Sequence, residues 1–295
     1  MKPVLSLALA TGLAALAAGL AAPGVAAAHD PAEHAASPTA QAPADVNDAA
    51  LAAAVAGSWR DPNNARRDAW RHPAQTLGFF GVRPDQTVIE ITPGGGWYAD
   101  ILAPYLRQDG HYVAAVWDDA ISGQPDYRYG LNKRLRAKFA GNAAVYGTPD
   151  VRVFDPMAPV FGPAGSADVV LTFRNAHNWV DEGTADKYVQ AFFDVLKPGG
   201  VLGLADHRAK PGTHLDTMKK SGYLTEALVI ELAQKAGFVL QGKSEVNANP
   251  KDTADHPNGV WTLPPTNDHP KEDDAKYQAI GESDRMTLRF VKPRG

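Results

Sequence analysis

Hydrophobic and polar residues follow two different patterns along the chain from residue 87 onward. Short runs rich in β-branched residues are separated by longer stretches in which apolar residues recur every three or four positions. Such alternation is typical of βαβ units, which build a parallel sheet with helices packed on it. Seven strands are predicted, at 87–91, 111–117, 151–154, 168–173, 201–206, 238–246 and 286–292.

The helix patterns between these strands have identifiable ends. One helix is expected over 97–107, directly after the first strand. A second has a wide apolar stripe over 185–196 and is predicted to end at the Pro-Gly-Gly run at 198–200, because these residues do not continue a helix. A third is expected over 225–236. Helical segments around 48–80 are expected to form a cap ahead of the sheet.

The first residues have the pattern of a secretion signal. Lys2 precedes an uncharged, Leu- and Ala-rich stretch at 4–22, and small residues follow up to Ala28. This order predicts a signal peptide over 1–28, with a retained membrane anchor as the alternative interpretation. Residues 29–47 are Ala, Pro and polar residues without apolar periodicity, which predicts a flexible leader. The folded domain is therefore expected over 48–295.

Composition removes several functional classes. The chain has 295 residues, a net charge of -4 and no cysteine. No block of like charge suggests a nucleic-acid partner or an anionic membrane surface, and no stable membrane insertion is expected after cleavage. Disulfides, thiolate metal sites and a cysteine nucleophile are excluded. Any metal site would need His, Asp or Glu ligands.

The most informative run is VIEITPGGG at 88–96, an apolar strand that carries Glu90 and leads into Gly94, Gly95 and Gly96 at a helix entry. Glycines there let a ligand approach the backbone, and a helix N-terminus favours negative charge. Asp118 follows the second strand at the distance expected of a ribose-binding acid. Together these features predict a nucleoside cofactor site, although the glycine pattern alone also matches a dinucleotide fingerprint.

Further motifs extend this pattern in order along the chain. ADVVLTFRNAHNW at 167–179 and LKPGGVLGLADH at 196–207 follow the glycine run and Asp118. The ordered set resembles that of class I S-adenosylmethionine-dependent methyltransferases, closest to the exported predicted methyltransferases of bacteria, over about residues 59–293. The resemblance implies a Rossmann-like α/β fold with a seven-stranded, mostly parallel sheet in the order 3-2-1-4-5-7-6, strand seven antiparallel, and helices on both faces.

The resemblance also implies roles for individual residues. It places the methionine part of S-adenosyl-L-methionine against the three glycines with Glu90 beneath, the ribose at Asp118 and the adenine near Asp155. The sequence departs from the family pattern at Thr92-Pro93, which replaces the usual glycine and its neighbour, and at Trp117, which occupies the expected place of the ribose acid one residue before Asp118. Each residue has a structural alternative as well: the glycines allow a tight turn, Asp118 can cap the next segment, and Asp155 before proline is a common turn pair.

Candidate catalytic residues follow the fourth and fifth strands, because ligands of open α/β sheets bind at the carboxyl edge. They are Arg174, Asn175, His177, Asp206 and His207. His177 is the first choice for a proton acceptor, with Asp206 and His207 beside it. A structural role for His177 beside Trp179 is the alternative. No metal is predicted, since no short ligand spacing such as H-x-x-x-H occurs among these residues.

The long Pro- and Asp-rich connection at 247–285 is predicted to form, with Trp261, part of a lid or acceptor-binding wall. The predicted function is methyl transfer to an unidentified small-molecule acceptor by an exported protein, periplasmic or secreted. The main alternative is a non-catalytic exported binding protein that keeps the same fold, and a nicotinamide-dependent oxidoreductase comes third.

Overall fold

A computed structural model describes residues 49–295 of the chain. The predicted signal peptide at 1–28 and the predicted leader at 29–47 lie outside the described residues. No helix within residues 49–295 is both long and apolar enough to cross a membrane.

Seven strands form one sheet in the order β3-β2-β1-β4-β5-β7-β6, which confirms the predicted fold class and strand order. All neighbouring strands are parallel except β7, which runs antiparallel to both β5 and β6. The strands are β1 Thr87–Ile91, β2 His111–Trp117, β3 Asp150–Phe154, β4 Ala167–Phe173, β5 Leu196–His207, β6 Val239–Ser244 and β7 Arg285–Val291.

Twelve α-helices occur in the described residues, and four of them precede the sheet where the cap is predicted. Two short 3-10 helices, Gly259–Thr262 and Lys271–Asp273, lie in the long connection before β7. The α-helices are α1 Ala49–Val55, α2 Pro62–Ala65, α3 Asp68–Arg71, α4 Pro73–Phe80, α5 Ala99–Leu106, α6 Asp126–Gly141, α7 Ala143–Tyr146, α8 Ala176–Glu182, α9 Ala185–Val195, α10 Leu215–Ser221, α11 Glu226–Lys235 and α12 Asp274–Ile280.

The two faces of the sheet carry separate hydrophobic cores, because successive strand residues point to opposite sides. Ile89 and Ile91 of β1 belong to the core formed with α8, α9 and α11. Val88 of the same strand belongs to the core formed with α1, α4 and α5, and the alternation puts Glu90 on this second face. Helix α4 lies close to the sheet there, since a Cβ at Gly203 of β5 would come within 2.6 Å of the Phe80 ring.

The fifth strand is longer than its sequence pattern predicts. Helix α9 ends at Val195, and the strand begins at once at Leu196 rather than at residue 201. The Pro-Gly-Gly run therefore lies inside the extended segment, where the pairing with β4 shifts register between Ala167 and Val169. Apolar periodicity could not reveal this, because a bulged strand start carries turn residues.

Candidate functional site

A cavity of about 370 Å³ opens at the carboxyl end of the sheet, where β1, β2 and β4 finish. Its volume is that of a small-molecule site, and its position is the edge at which open α/β sheets bind ligands. Strand β2 lies on one side of β1, and β4 lies on the other. The connections that leave β1 and β4 therefore diverge and leave a crevice between them. The lining includes residues that follow each of these strands, together with residues of the N-terminal helices.

The loop after β1 forms one wall of the cavity. Gly94 and Gly95 line it, and a Cβ at either position would have no heavy atom within 4 Å beyond its chain neighbours. Gly96 does not line the cavity. It packs against α6 instead, where an added Cβ would lie 2.9 Å from the Leu135 side chain. Two glycines thus leave the wall bare for a ligand, and the third allows the loop to pack on a helix.

Two residues at this edge are held in a left-handed backbone conformation although neither is glycine. Thr92, directly after β1, has a φ of 45°, and Arg174, directly after β4, has a φ of 61°. Their N–H groups donate to the carbonyl groups of Ala115 and Ala205, which are strand residues next to them. Such strained backbone is concentrated at ligand sites. The departure from glycine at Thr92 therefore preserves the loop conformation.

Glu90 lines the cavity from below the loop. It is buried, and its Oε2 accepts a hydrogen bond from the Tyr112 hydroxyl at 2.6 Å. Burial raises the pKa of Glu90 to about 8, against the opposing effect of the Tyr112 hydrogen bond. The carboxyl group is therefore largely protonated at neutral pH, and a cation in the cavity would favour its ionisation.

Asp118 and Asp155 lie outside the cavity lining, and each accepts a hydrogen bond from its own turn. Asp118 is half-buried, and its Oδ1 accepts from the N–H of Ala120 at 2.9 Å. Asp155 is exposed, and its Oδ1 accepts from the N–H of Met157 at 2.8 Å. Trp117, one residue before Asp118, does line the cavity. Contact of Asp118 with a ribose and of Asp155 with an adenine stays a prediction.

The three predicted catalytic residues form one buried group, here called the histidine cluster: His177, Asp206 and His207. Asp206 accepts from the N–H groups of Ala176 at 2.7 Å and of His177 at 3.3 Å, and thereby caps the start of α8. Its Oδ1 lies 2.9 Å from His177 Nδ1 and accepts from the N–H of His207 at 2.8 Å. The three candidate residues therefore lie together, and their catalytic role stays a prediction.

The histidine cluster lies behind the cavity wall, and none of its members lines the cavity. Arg174 connects the two, because it lines the cavity while its Nε donates to His207 Nε2 at 3.4 Å. His207 Nδ1 then carries the proton and donates to the Ser283 hydroxyl. Burial lowers the pKa of His207 well below its ordinary value, and the neighbouring His177 and Arg174 act in the same direction.

The ligand atoms of the histidine cluster lie within 4.8 Å of one another. A divalent ion there would compete with the backbone and His177 hydrogen bonds that already occupy both oxygens of Asp206. Trp261 of the long connection lies beside this cluster, with its ring centroid 6.3 Å from that of His177, and it does not line the cavity.

A second polar group lies beside the cavity, and three of its arginines, Arg67, Arg71 and Arg174, line it. It consists of Arg67, Arg71, Arg174 and Arg285 around Glu282, and is called the arginine group below. Three of the guanidinium groups hydrogen-bond to the Glu282 carboxylate: Arg67 Nε at 2.5 Å, Arg71 Nε at 3.1 Å, and Arg285 Nη2. The sequence pattern singled out Arg174 of this group, after the fourth strand, and the signal for Arg67 and Arg71 was the run of arginines at 66, 67 and 71 just before the sheet.

No family model and no curated protein matches the chain. Solved structures do. An S-adenosylmethionine-dependent methyltransferase from Aquifex aeolicus is similar to this chain, with 15% sequence identity and a TM-score of 0.51. The match covers 79% of this chain and 94% of the Aquifex chain. The chain has the methyltransferase fold. The cyclase SpnF is similar as well, at 14% identity and a TM-score of 0.53, covering 83% of this chain and 93% of its own. At this identity the likeness concerns the fold, and activity has to be argued from the cavity.

Proposed function

We propose that this protein transfers a methyl group from S-adenosyl-L-methionine to an unidentified small-molecule acceptor. The observation that carries the proposal is the cavity at the ends of β1, β2 and β4, whose glycine wall is bare at Gly94 and Gly95. A methyltransferase fold with a ligand-sized crevice at this edge fits a nucleoside cofactor in size and in backbone access.

The residues present fit the charge of that cofactor. Gly94 and Gly95 would admit it against the loop, Trp117 would cover it, and the Glu90 carboxyl would face its positive charge. Bound S-adenosylmethionine supplies an electrophilic methyl group on a sulfonium. The chain itself contributes binding, alignment of the acceptor and exclusion of water, which are the main requirements of an in-line displacement.

A proton acceptor is required only when the acceptor molecule arrives protonated. No imidazole of residues 49–295 lines the cavity, and His207 Nε2 already accepts from Arg174. The catalytic roles of His177, Asp206 and His207 stay predictions. The contacts of the cluster support a positioning role, in which Asp206 caps α8 and His207 orients Arg174 toward the cavity.

The test is calorimetric titration with S-adenosylmethionine and S-adenosylhomocysteine. A Gly95→Val variant places a side chain in the open space of the glycine wall without backbone strain, because Gly95 has no positive φ. We expect the wild type to bind both ligands and Gly95→Val to bind neither. Gly141→Ala is the matched control, since it adds a side chain at an equally open but exposed position in α6. Absence of binding to folded wild-type protein would refute the proposal.

Asp118 is tested by two substitutions that separate its turn from its predicted ribose contact. Asp118→Asn keeps an oxygen for the N–H of Ala120, whereas Asp118→Ala removes it. If a carboxylate is needed at the ribose, both variants lose affinity for S-adenosylhomocysteine. If only the turn matters, Asp118→Asn binds as the wild type does.

The second candidate function is a binding protein without methyl transfer. This candidate is supported by the similar fold of a cyclase, because a fold does not by itself determine the activity. It is also supported by Thr92, which replaces the usual loop glycine. Ligand binding without methyl transfer to any acceptor in a screen that includes carboxylates would favour this candidate.

Export remains part of the proposal. Cleavage after Ala28 would leave residues 29–295, and the intact mass of the protein recovered from a cell that exports it would reveal this product. A protein that retains residues 1–28 and sediments with membranes would instead indicate an anchor.

A further inference from the structure

The arginine group contains more positive charge than its carboxylates balance. Arg67, Arg71, Arg174 and Arg285 all act electrostatically on Glu282, which is 2% exposed. Burial alone would raise the pKa of Glu282, but the guanidinium groups hold it well below its ordinary value, so the carboxylate stays ionised. Asp206 is the other acid near Arg174, and its oxygens are already hydrogen-bonded to the backbone and to His177.

The cavity itself gains little negative charge from its lining. Arg67, Arg71 and Arg174 line it, and Glu90 is the one acidic residue among the lining side chains of residues 49–295. Glu90 is largely protonated at neutral pH because burial raises its pKa to about 8. A sulfonium cofactor would favour ionisation of Glu90 and pair with it, and the arginines would stay unbalanced. An anion is therefore the missing component of the charge balance.

Donor atoms of the arginine group also lack partners. Arg67 Nη2 and Arg71 Nη2 are buried and form no hydrogen bond, and Arg71 as a whole is only 7% exposed. A buried donor of a charged group that has no partner costs more stability than an unpaired neutral donor does. Elsewhere in the chain a half-buried arginine is fully matched: Arg208 donates to Glu226, Glu245 and Asp284. Of the four buried arginine nitrogens without a partner in residues 49–295, two belong to Arg67 and Arg71 at the cavity, one to Arg285 beside them and one to Arg60.

The body of the cavity is aromatic. Trp97, Tyr127 and Phe173 line it, and the Arg71 guanidinium lies 4.7 Å from the centroid of the Trp97 ring. Planar apolar walls next to unpaired guanidinium groups suit a ligand with an apolar body and a charged oxygen group.

We propose that Arg67 and Arg71, with Arg174 beside them, form an anion subsite of the cavity, and that the methyl acceptor is an organic carboxylate. The assignment of the bound carboxylate as the methyl acceptor rests on the proposed function, whereas the anion subsite itself does not depend on methyl transfer. The carboxylate pairs with the guanidinium groups that line the cavity, whose charge Glu282 balances only in part, and it orients the acceptor toward the glycine wall.

The experiment measures binding of benzoate to the purified protein, with benzamide as the neutral molecule of the same shape. We expect benzoate to bind and benzamide to bind at least about tenfold more weakly, because guanidinium groups bind carboxylates by charge-assisted hydrogen bonds. Arg71→Met and Arg67→Met should each weaken benzoate binding about tenfold. Arg67 is the less buried of the two, so its variant keeps the test informative if Arg71→Met does not fold. Arg134→Met is the control, since it removes an exposed cation of α6 outside the cavity lining.

Repeating the titration with saturating S-adenosylhomocysteine identifies the source of the carboxylate. Benzoate binding that persists supports an acceptor subsite. Binding abolished by the cofactor product would mean that the arginines hold the carboxylate of the cofactor itself, and would overturn the acceptor assignment. Failure of benzoate to bind a protein that does bind S-adenosylhomocysteine would overturn the anion subsite alone. Benzoate binding by a protein that binds neither cofactor form would keep the subsite and refute methyl transfer.

Discussion

Two polar groups meet at the carboxyl edge of the sheet, and they differ in how completely their atoms are paired. In the histidine cluster, both oxygens of Asp206 accept hydrogen bonds, and both ring nitrogens of His207 have partners. In the arginine group, three guanidinium groups share one carboxylate, and buried nitrogens of Arg67, Arg71 and Arg285 have no partner. Arg174 belongs to the second group and contacts the first.

The difference separates a supporting structure from a ligand site. A buried polar network in which every group is paired makes the surrounding elements rigid and leaves nothing for a ligand to bind. A group with unpaired donors and unbalanced charge is stabilised when a complementary ligand arrives. We therefore expect Asp206 and His207 to support the wall and propose Arg67 and Arg71 as the residues that a ligand meets.

The largest expected effect concerns Glu282, whose removal would leave the arginine group without its central carboxylate. Glu282→Gln should lower the free energy of unfolding by about 3–5 kcal/mol, the usual loss when one partner of a buried ion pair is removed. The measurement is urea unfolding, with Glu272→Gln as control because Glu272 is exposed in the same connection. Added sulfate should recover part of the loss. An unchanged midpoint would show that the arginines do not depend on Glu282.

Asp206 tests the supporting role of the histidine cluster. Asp206→Asn places an amide where N–H groups of Ala176, His177 or His207 now donate, and should cost about 2–3 kcal/mol of stability through unpaired buried donors. Affinity of the folded variant for S-adenosylhomocysteine should stay within about threefold of the wild type, a difference well below the ~1.4 kcal/mol of a tenfold change. Asp216→Asn, at an exposed position in α10, is the control. Full stability with lost methyl transfer would instead make Asp206 catalytic.

The raised pKa of Glu90, on the glycine side of the cavity, predicts that the stability of the protein depends on pH. Its folded-state pKa of about 8 lies above the ordinary 4.5, so the folded protein holds a proton that the unfolded chain releases between these values. Stability from this group is complete below pH 4.5 and is lost as the pH rises toward 8, by at most about 1.4 kcal/mol per pH unit.

The measurement is the unfolding free energy from pH 5 to pH 8 for the wild type and for Glu90→Gln, which cannot ionise. The wild type should lose stability relative to the variant as the pH rises. Parallel curves would show that the Glu90 carboxyl is already ionised at low pH in the folded protein.

The smallest effect is expected at Thr92, where a β-branched residue occupies the left-handed region. Thr92→Gly relieves that strain but loosens the unfolded chain, so the net change in stability should lie within about 1 kcal/mol. Ala254→Gly is the matched control, because Ala254 has a φ of 56° and lies outside the lining of the cavity. Only Thr92→Gly should alter S-adenosylhomocysteine affinity, since the buried Thr92 hydroxyl lines the cavity without a partner. Equal affinities in both variants would remove Thr92 from the site.

The sequence by itself determined the sheet. Strands β1 and β2 have the bounds that their apolar patterns predict, and the strand order is the one that the resemblance to class I methyltransferases implies. It also placed Glu90, Gly94 and Gly95 at the cavity, since their positions depend on one strand and the turn after it.

Only the tertiary structure decided which charged residues share a space. Arg67 and Glu282 are 215 residues apart and come into contact because the N-terminal helices and the segment before β7 pack at the same edge of the sheet. Hydrophobic periodicity carries no information about such a pairing, because it depends on long-range contacts rather than on local conformation. For the same physical reason, the turns that occupy Asp118 and Asp155, and the wall that separates His177 from the cavity, could be seen only once the chain was folded.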